Sequence, residues 1–150
     1  MGLINDLKEK RVCIDTAPFI YYIEKHGLYK KILNPVFKEI DLGGIDTITS
    51  TITLLEVMVL PMKTGNENLA HKYREILLHA AGLTTYEISH QISEKAAQLR
   101  ANYSIKTPDA LQISTGIIHG ADIVLTNDSD LKRVSDITIL SLDDYIDRKE

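Results

Sequence analysis

Apolar residues fall into short β-branched runs, separated by longer segments whose apolar positions repeat with helical spacing. The short runs predict five strands, at 11–15, 46–50, 83–86, 123–126 and 138–140. The longer segments predict helices at 16–27, 28–42, 51–62, 66–81, 89–103 and 107–119, and a brief turn or helix at 127–134. Because strands alternate with helices, we expect an α/β fold, a three-layer α/β/α sandwich with a central parallel sheet, in a single domain over residues 1–150.

Residue types at the element boundaries predict how several helices begin and which way they face. Thr107 is expected to cap a helix that has Pro108 in its first turn. Ser141 and Asp144 have the spacing of a capping box before a short helix in the tail. The predicted helix at 89–103 is expected to turn three residues inward: Ala96, Ala97 and Leu99.

The composition favours a cytoplasmic protein. Cys13 is the only cysteine and lies in an apolar run, so we expect a buried thiol in a reducing compartment. No run of about 18 apolar residues is present, and the first residues lack a secretory apolar segment. We therefore expect no contact with a membrane.

The formal net charge of −4, from 17 basic and 21 acidic side chains, argues against a binder of nucleic acid. The distribution of acids changes this interpretation if the excess lies at one place. Four carboxylates account for the whole difference, and divalent cations bound to them would let a phosphate approach.

Three of these four acids lie just after a predicted strand or at the start of a helix. Asp15 closes the first strand, Asp128 lies two residues beyond the strand at 123–126, and Asp109 is in the first turn of a helix. Glu56 lies in the helix after the second strand. Since ligands of open parallel sheets bind outside the carboxyl ends of the strands, we expect these carboxylates to share one pocket.

Each aspartate also has an ordinary structural interpretation. Asp15 can cap a helix, Asp109 can complement a positive helix end, and Asp128 can shape a turn. Glu56 is harder to explain in this way because apolar residues flank it on both sides, and a buried carboxylate needs a partner. Mg²⁺ or Mn²⁺ would relieve repulsion among four carboxylates, and such ions activate water for phosphodiester hydrolysis.

Four segments of the chain resemble the PIN-domain ribonucleases, and within them the VapC-type toxins of toxin–antitoxin pairs. They occur in the family's order and span nearly the whole chain: VCIDTAPFIYYIE at 12–24, STITLLEV at 50–57, TPDALQIST at 107–115 and IVLTNDSDL at 123–131. Two departures from the family pattern look like packing changes. Leu131 stands where Phe is frequent, and Gly116 stands where alanine is more usual.

The resemblance implies a metal-dependent endoribonuclease in which water attacks in line and no covalent intermediate forms. It implies that the four acids are catalytic metal ligands, directly or through water: Asp15, Glu56, Asp109 and Asp128. Thr16 or Thr126 would support them by hydrogen bonding, and Asp130 is a second-rank candidate. The resemblance also implies single-stranded or loop RNA as substrate, a homodimer, and a small antitoxin whose helix and tail cover the site.

Other features add weaker candidates. Three basic residues near the acids are candidate phosphate contacts, although solvated surface charge also explains them: Lys106, Lys132 and Arg133. Three tyrosines could stack on bases, but the seam of a helix pair explains them better: Tyr21, Tyr22 and Tyr29. The run at 57–62 would contribute to a dimer or antitoxin groove, although core packing explains most of it. The five histidines lack zinc-site spacing.

Two other functions remain open. The first is a PIN-like module that binds RNA or a partner without cutting. The second is a phosphatase that uses Asp15 as a nucleophile, which Ala17 argues against because such enzymes commonly carry a second Asp at that position. The absence of a glycine-rich phosphate loop and of a Gly-x-Ser-x-Gly turn disfavours nucleotide binding and a serine nucleophile.

Overall fold

A computed structural model describes residues 2–146. Its centre is a five-stranded sheet in the order β3-β2-β1-β4-β5, and every neighbouring pair of strands is parallel. The strands are β1 (Arg11–Ile14), β2 (Asp46–Ser50), β3 (Leu83–Tyr86), β4 (Ile123–Thr126) and β5 (Thr138–Ser141). All five lie where the sequence predicted strands, within one residue at each end.

Helices cover both faces of the sheet. Residues 2–146 contain seven α-helices: α1 (Leu3–Leu7), α2 (Thr16–Ile23), α3 (Gly27–Leu42), α4 (Thr51–Thr64), α5 (Glu67–His79), α6 (His90–Tyr103) and α7 (Thr107–Ile118). Two short 3₁₀ helices follow β4 and β5, at Ser129–Arg133 and Leu142–Tyr145. The sequence did not predict α1, whose Leu3 and Leu7 are buried in the core that also contains residues of α3.

The side chains of β1 show how the sheet divides the core into two. Val12 and Ile14 belong to a cluster with residues of α2, α3 and α5, whereas Cys13 belongs to a cluster with α6 and α7. This alternation follows from the two-residue period of a strand. The result is the three-layer α/β/α sandwich that the sequence predicted.

The strand order determines where a site can form. From β1 the chain continues to β2 and β3 at one edge of the sheet, whereas from β4 it continues to β5 at the other edge. In open parallel sheets, such a switch point opens a crevice at the carboxyl ends of the strands. Residues that follow β1, β2 and β4 therefore meet in one place.

Three predictions about helix ends and faces are wrong. The N-cap of α7 is Lys106 and not Thr107, because Thr107 is already the first residue of the helix. Ser141 makes no capping hydrogen bond, and its hydroxyl is buried at the end of β5. Residues 147–150 of the predicted tail helix lie outside the described residues. Ala97 is exposed, whereas Ala96 and Leu99 are buried, because helical geometry turns adjacent residues to different sides.

Gly116 lies in α7 where the helix crosses β1 and β4. A Cβ atom at this position would be 3.2 Å from the Cys13 Cβ and 3.3 Å from a methyl carbon of Val124. The glycine therefore permits a close approach between helix and sheet. Within residues 2–146, no helix has both the length and the apolar character needed to cross a membrane.

Candidate functional site

Asp15 lies at the carboxyl end of β1 and belongs to both the sheet and the following helix. Its backbone N–H donates to the Leu125 carbonyl, at 2.9 Å, which continues the ladder between β1 and β4. Its side chain is the N-cap of α2 and accepts from the Thr16 backbone N–H at 2.8 Å. The capping role considered from the sequence is therefore present, and it fixes the carboxylate at the switch point.

Two further donors hold the Asp15 carboxylate. The Gln112 side-chain amide donates to Oδ1 at 3.2 Å, and the Thr126 hydroxyl donates to Oδ2 at 2.9 Å. The same Thr126 oxygen accepts from the Asp128 backbone N–H at 3.2 Å. Thr126 thereby links Asp15 to the segment that carries Asp128.

Glu56 is half-buried and has the partner that its apolar neighbours suggested it would need. The Thr16 hydroxyl donates to its Oε1 at 2.5 Å. Since the Thr16 backbone also donates to Asp15, one threonine bridges two of the predicted acids. The two threonines named as supporting residues, Thr16 and Thr126, are both in direct contact with the acid cluster.

The pKa of Asp109 is affected by the charges of the other three acids. Its pKa is raised from 3.8 to about 6, first because burial penalises the charged form and then because of the charges of three carboxylates: Asp15, Asp128 and Glu56. Lys106, at the start of the same helix, acts in the opposite direction. The position of Asp109 in the first turn of α7 would by itself favour the charge. The structure thus brings all four predicted acids close enough for the charges of the other three to act on Asp109.

A buried polar network below the acids was not predicted from the sequence. Gln112 is 2% exposed, and its amide donates to the Thr53 hydroxyl at 2.5 Å and accepts from the Ser50 hydroxyl at 2.7 Å. Thr53 also contacts the Thr49 hydroxyl at 2.9 Å. A signal was available: Gln112 lies three residues after Asp109 and therefore on the same face of α7.

The carboxylate oxygens of this site are the ligand type that a hard divalent cation prefers, but the side chains are not arranged as a ready-made metal site. Among residues 2–146, no group of three or more His, Cys, Asp or Glu side chains is arranged so that it could hold a metal ion. The side chains of Asp15 and Glu56 are instead engaged by hydroxyl and amide donors. Mg²⁺ generally binds through one or two carboxylates and keeps several waters, so it requires no cage preformed from protein groups.

The second-rank acid and two of the three basic candidates make other contacts. Asp130 is exposed, is absent from the charges that raise the Asp109 pKa, and pairs with Arg133 at 3.3 Å. Lys132 pairs with Asp144. Of the three basic candidates, Lys106 is the one that acts on the Asp109 carboxyl.

The tyrosines form the seam between α2 and α3 that the sequence favoured over base stacking. Tyr22 stacks on Phe37 with ring centroids 4.0 Å apart, and Tyr21 stacks on Tyr29 at 4.3 Å. The Asn127 amide donates to the hydroxyls of both Tyr21 and Tyr29, at 3.1 and 3.3 Å. These contacts explain the rings as packing at the edge of the acid cluster.

The prediction that core packing explains most of the apolar run in α4 is wrong for half of it. Val57, Met58 and Pro61 are buried, but Val59, Leu60 and Met62 are between 55% and 64% exposed. Val59 and Met62 border a groove of about 450 Å³ between α4 and α5, whose lining also includes Leu54, Leu55 and Leu78. The groove is apolar and lies on the helix that carries Glu56.

Comparison with known proteins gives a family and a set of similar folds. The model of the PIN domain family matches residues 12–137. VapBC2 from Rickettsia felis, solved bound to a DNA fragment from its promoter, is 21% identical over 87% of this chain and 98% of the VapBC2 chain, with a TM-score of 0.68. A toxin–antitoxin complex from Klebsiella pneumoniae is 23% identical over 87% and 97%, with a TM-score of 0.67.

A third similar structure is a nuclease by its description. VapC20 from Mycobacterium tuberculosis, a Sarcin-Ricin loop cleaving toxin, is 12% identical over 83% of this chain and 95% of its own, with a TM-score of 0.67. No curated protein sequence matches the chain at a significant level. At these identities, the structural similarity establishes the fold.

Proposed function

This chain belongs to the PIN domain family, and on that premise we propose that it is a divalent-metal-dependent endoribonuclease, the toxin of a toxin–antitoxin pair. The observation that carries the proposal is the convergence of four carboxylates at the carboxyl ends of β1, β2 and β4. Thr16 links Asp15 to Glu56, Thr126 links Asp15 to the Asp128 segment, and Asp109 is influenced by all three other acids. Such a cluster is costly unless a cation compensates it.

The residues would act as follows. Four acids would hold the ion, directly or through water: Asp15, Glu56, Asp109 and Asp128. A bound Mg²⁺ or Mn²⁺ supplies Lewis-acid polarisation of the phosphoryl oxygen and activation of water. Thr16 and Thr126 keep Asp15 oriented through the hydrogen bonds described above, and Lys106 provides a positive charge next to Asp109 for the RNA backbone.

RNA cleavage in Mn²⁺ and in EDTA tests this proposal. We expect the purified protein to produce RNA fragments in Mn²⁺ but not in EDTA, and Asp15→Asn to abolish cleavage while the circular dichroism spectrum is unchanged. Asp41→Asn is the matched control, since Asp41 is an exposed acid on α3. Full activity of folded Asp15→Asn, or activity that survives EDTA, would refute the mechanism. RNA that is bound but never cut would instead indicate a non-cleaving binding module.

We further infer that the antitoxin places an apolar segment in the groove between α4 and α5. Leu55 and Val59 are 61% and 55% exposed and lie one helical turn apart. Adjacent exposed apolar side chains of this kind indicate an interaction surface. Proteins of similar fold have been solved as VapBC2 from Rickettsia felis and as a toxin–antitoxin complex from Klebsiella pneumoniae. The homodimer and the cytoplasmic location expected from the sequence stay predictions.

The oligomeric state of a groove variant tests this assignment. If the groove is free for an antitoxin, sedimentation velocity should give the same oligomer for the wild type and for Leu55→Lys. A wild-type dimer that becomes a monomer on this substitution would make the groove an interface between two copies of the chain. That result would overturn its assignment to the antitoxin.

A further inference from the structure

The buried amide of Gln112 lies on one element of the acid cluster and contacts two others. It lies on α7, three residues from Asp109, and its Nε2 donates to Asp15 after β1 and to Thr53 on α4. Thr53 is three residues before Glu56, so both lie on the same face of α4. One side chain therefore joins the segments that bear three of the four acids.

The contacts use the full chemistry of a primary amide. The two N–H groups of Nε2 have two acceptors, Asp15 Oδ1 and Thr53 Oγ1, and the carbonyl Oε1 accepts from the Ser50 hydroxyl at 2.7 Å. The Ser50 hydroxyl also caps α4 by accepting from the Ile52 N–H at 3.1 Å. Since the ionised Asp15 carboxylate can only accept, the nitrogen side of the amide must face it, and Oε1 then faces the Ser50 hydroxyl.

From this geometry we propose that Gln112 is a positioning residue for the metal site, which holds Asp15 and the faces of α4 and α7 in register for cation binding. The inference rests on the proposed function, because it assumes that the acids bind a metal. Four carboxylates repel, and the residue that counteracts their separation must be a donor that is itself anchored. Gln112 meets both requirements at 2% exposure.

Metal affinity in a variant of similar shape tests the proposal without relying on activity. Gln112→Met keeps the length of the side chain but removes both N–H donors and the acceptor. We expect it to weaken Mn²⁺ binding about tenfold or more, as loss of an outer-shell hydrogen bond generally does. The measurement is a Mn²⁺ titration followed by electron paramagnetic resonance of the free ion.

Ser114→Ala is the matched control, because Ser114 is buried on the same helix and its hydroxyl has no hydrogen-bond partner among the described residues. It should bind Mn²⁺ as the wild type does. Equal affinity in Gln112→Met and wild type overturns the positioning role alone. Failure of the wild type to bind Mn²⁺ refutes the proposed function itself.

A second measurement needs no variant to fold. In the wild type, the Gln112 side-chain amide resonance should shift during a Mg²⁺ titration, because its acceptor Asp15 would gain a cation partner. A glutamine whose acceptor takes no part in cation binding would keep its chemical shift. An unchanged resonance at saturating Mg²⁺, with other site resonances moving, would overturn the proposal.

Discussion

Replacing Asp109 with asparagine tests the cost of burying its charge beside three other carboxylates in the metal-free protein. Burial and the charges of Asp15, Asp128 and Glu56 raise the Asp109 pKa from 3.8 to about 6. At pH 7.5 the carboxyl is ionised in both the folded and the unfolded protein, but only folding brings it next to the other charges. Asparagine has a similar shape and carries no charge, so it removes this penalty.

The size of the effect follows from the pKa. At about 1.4 kcal/mol per pKa unit, the change from 3.8 to about 6 corresponds to at most ~3 kcal/mol. Solvent screening of a half-buried carboxyl reduces this value, and losing a negative charge from the first turn of α7 costs on the order of 0.5 kcal/mol. We therefore expect Asp109→Asn to raise the free energy of unfolding by about 1 to 2 kcal/mol at pH 7.5 in EDTA.

The pH dependence has a definite sign. Because the folded-state pKa is raised, the stability contributed by protonation of Asp109 is fully present below pH 3.8 and is lost as the pH rises through about 6. Asparagine has no such dependence. The advantage of Asp109→Asn over the wild type should therefore fall to about half at pH 5 and disappear at lower pH.

Urea denaturation followed by circular dichroism at pH 7.5 and pH 5 measures this difference, with Asp41→Asn as the control for loss of an exposed acid. In Mn²⁺ the order should reverse, since the ion stabilises a protein that binds it and the variant lacks one of the proposed ligands. An Asp109→Asn variant no more stable than the wild type in EDTA would refute the repulsion. So would a stability advantage that does not change with pH.

Two further predictions concern the packing of α7 on the sheet. Gly116→Val should lower the free energy of unfolding by about 1 to 3 kcal/mol, because even a Cβ would lie 3.2 Å from Cys13 and 3.3 Å from Val124. Gly27→Ala has open space and should be neutral or stabilising in the same urea titration. Burial raises the pKa of the Cys13 thiol, so it should react with a disulfide reagent such as DTNB only in denaturant; rapid reaction of the native protein would contradict the packing.

The strands could be predicted because their environment leaves a clear pattern. All four residues of β4 are buried, and its continuous apolar run is typical of a parallel strand covered on both faces. Helix α1 left no such pattern. Leu3 and Leu7 are both buried, but five residues are too few to show a helical period.

The acids of the candidate site could be predicted individually, but their supporting network could not. An aspartate directly after an apolar strand, such as Asp15, is visible in the sequence. Gln112 and Thr53 appear there as ordinary polar residues within helices. Their role depends on β1 lying between β2 and β4, and the strand order was not part of the prediction.

Helix α4 shows that the side chains of one apolar run can have different surroundings that the sequence does not distinguish. Val57 packs into the core, Glu56 faces the acid cluster, and Leu55 and Val59 face the groove, so one helix has three different surroundings. Since Glu56 is the one polar residue between positions 54 and 62, the sequence cannot show which apolar side chains of this segment are exposed. Since Leu55 and Glu56 are adjacent, a protein bound in the groove would lie beside a proposed metal ligand. We therefore expect partner binding and metal binding at this helix to influence each other.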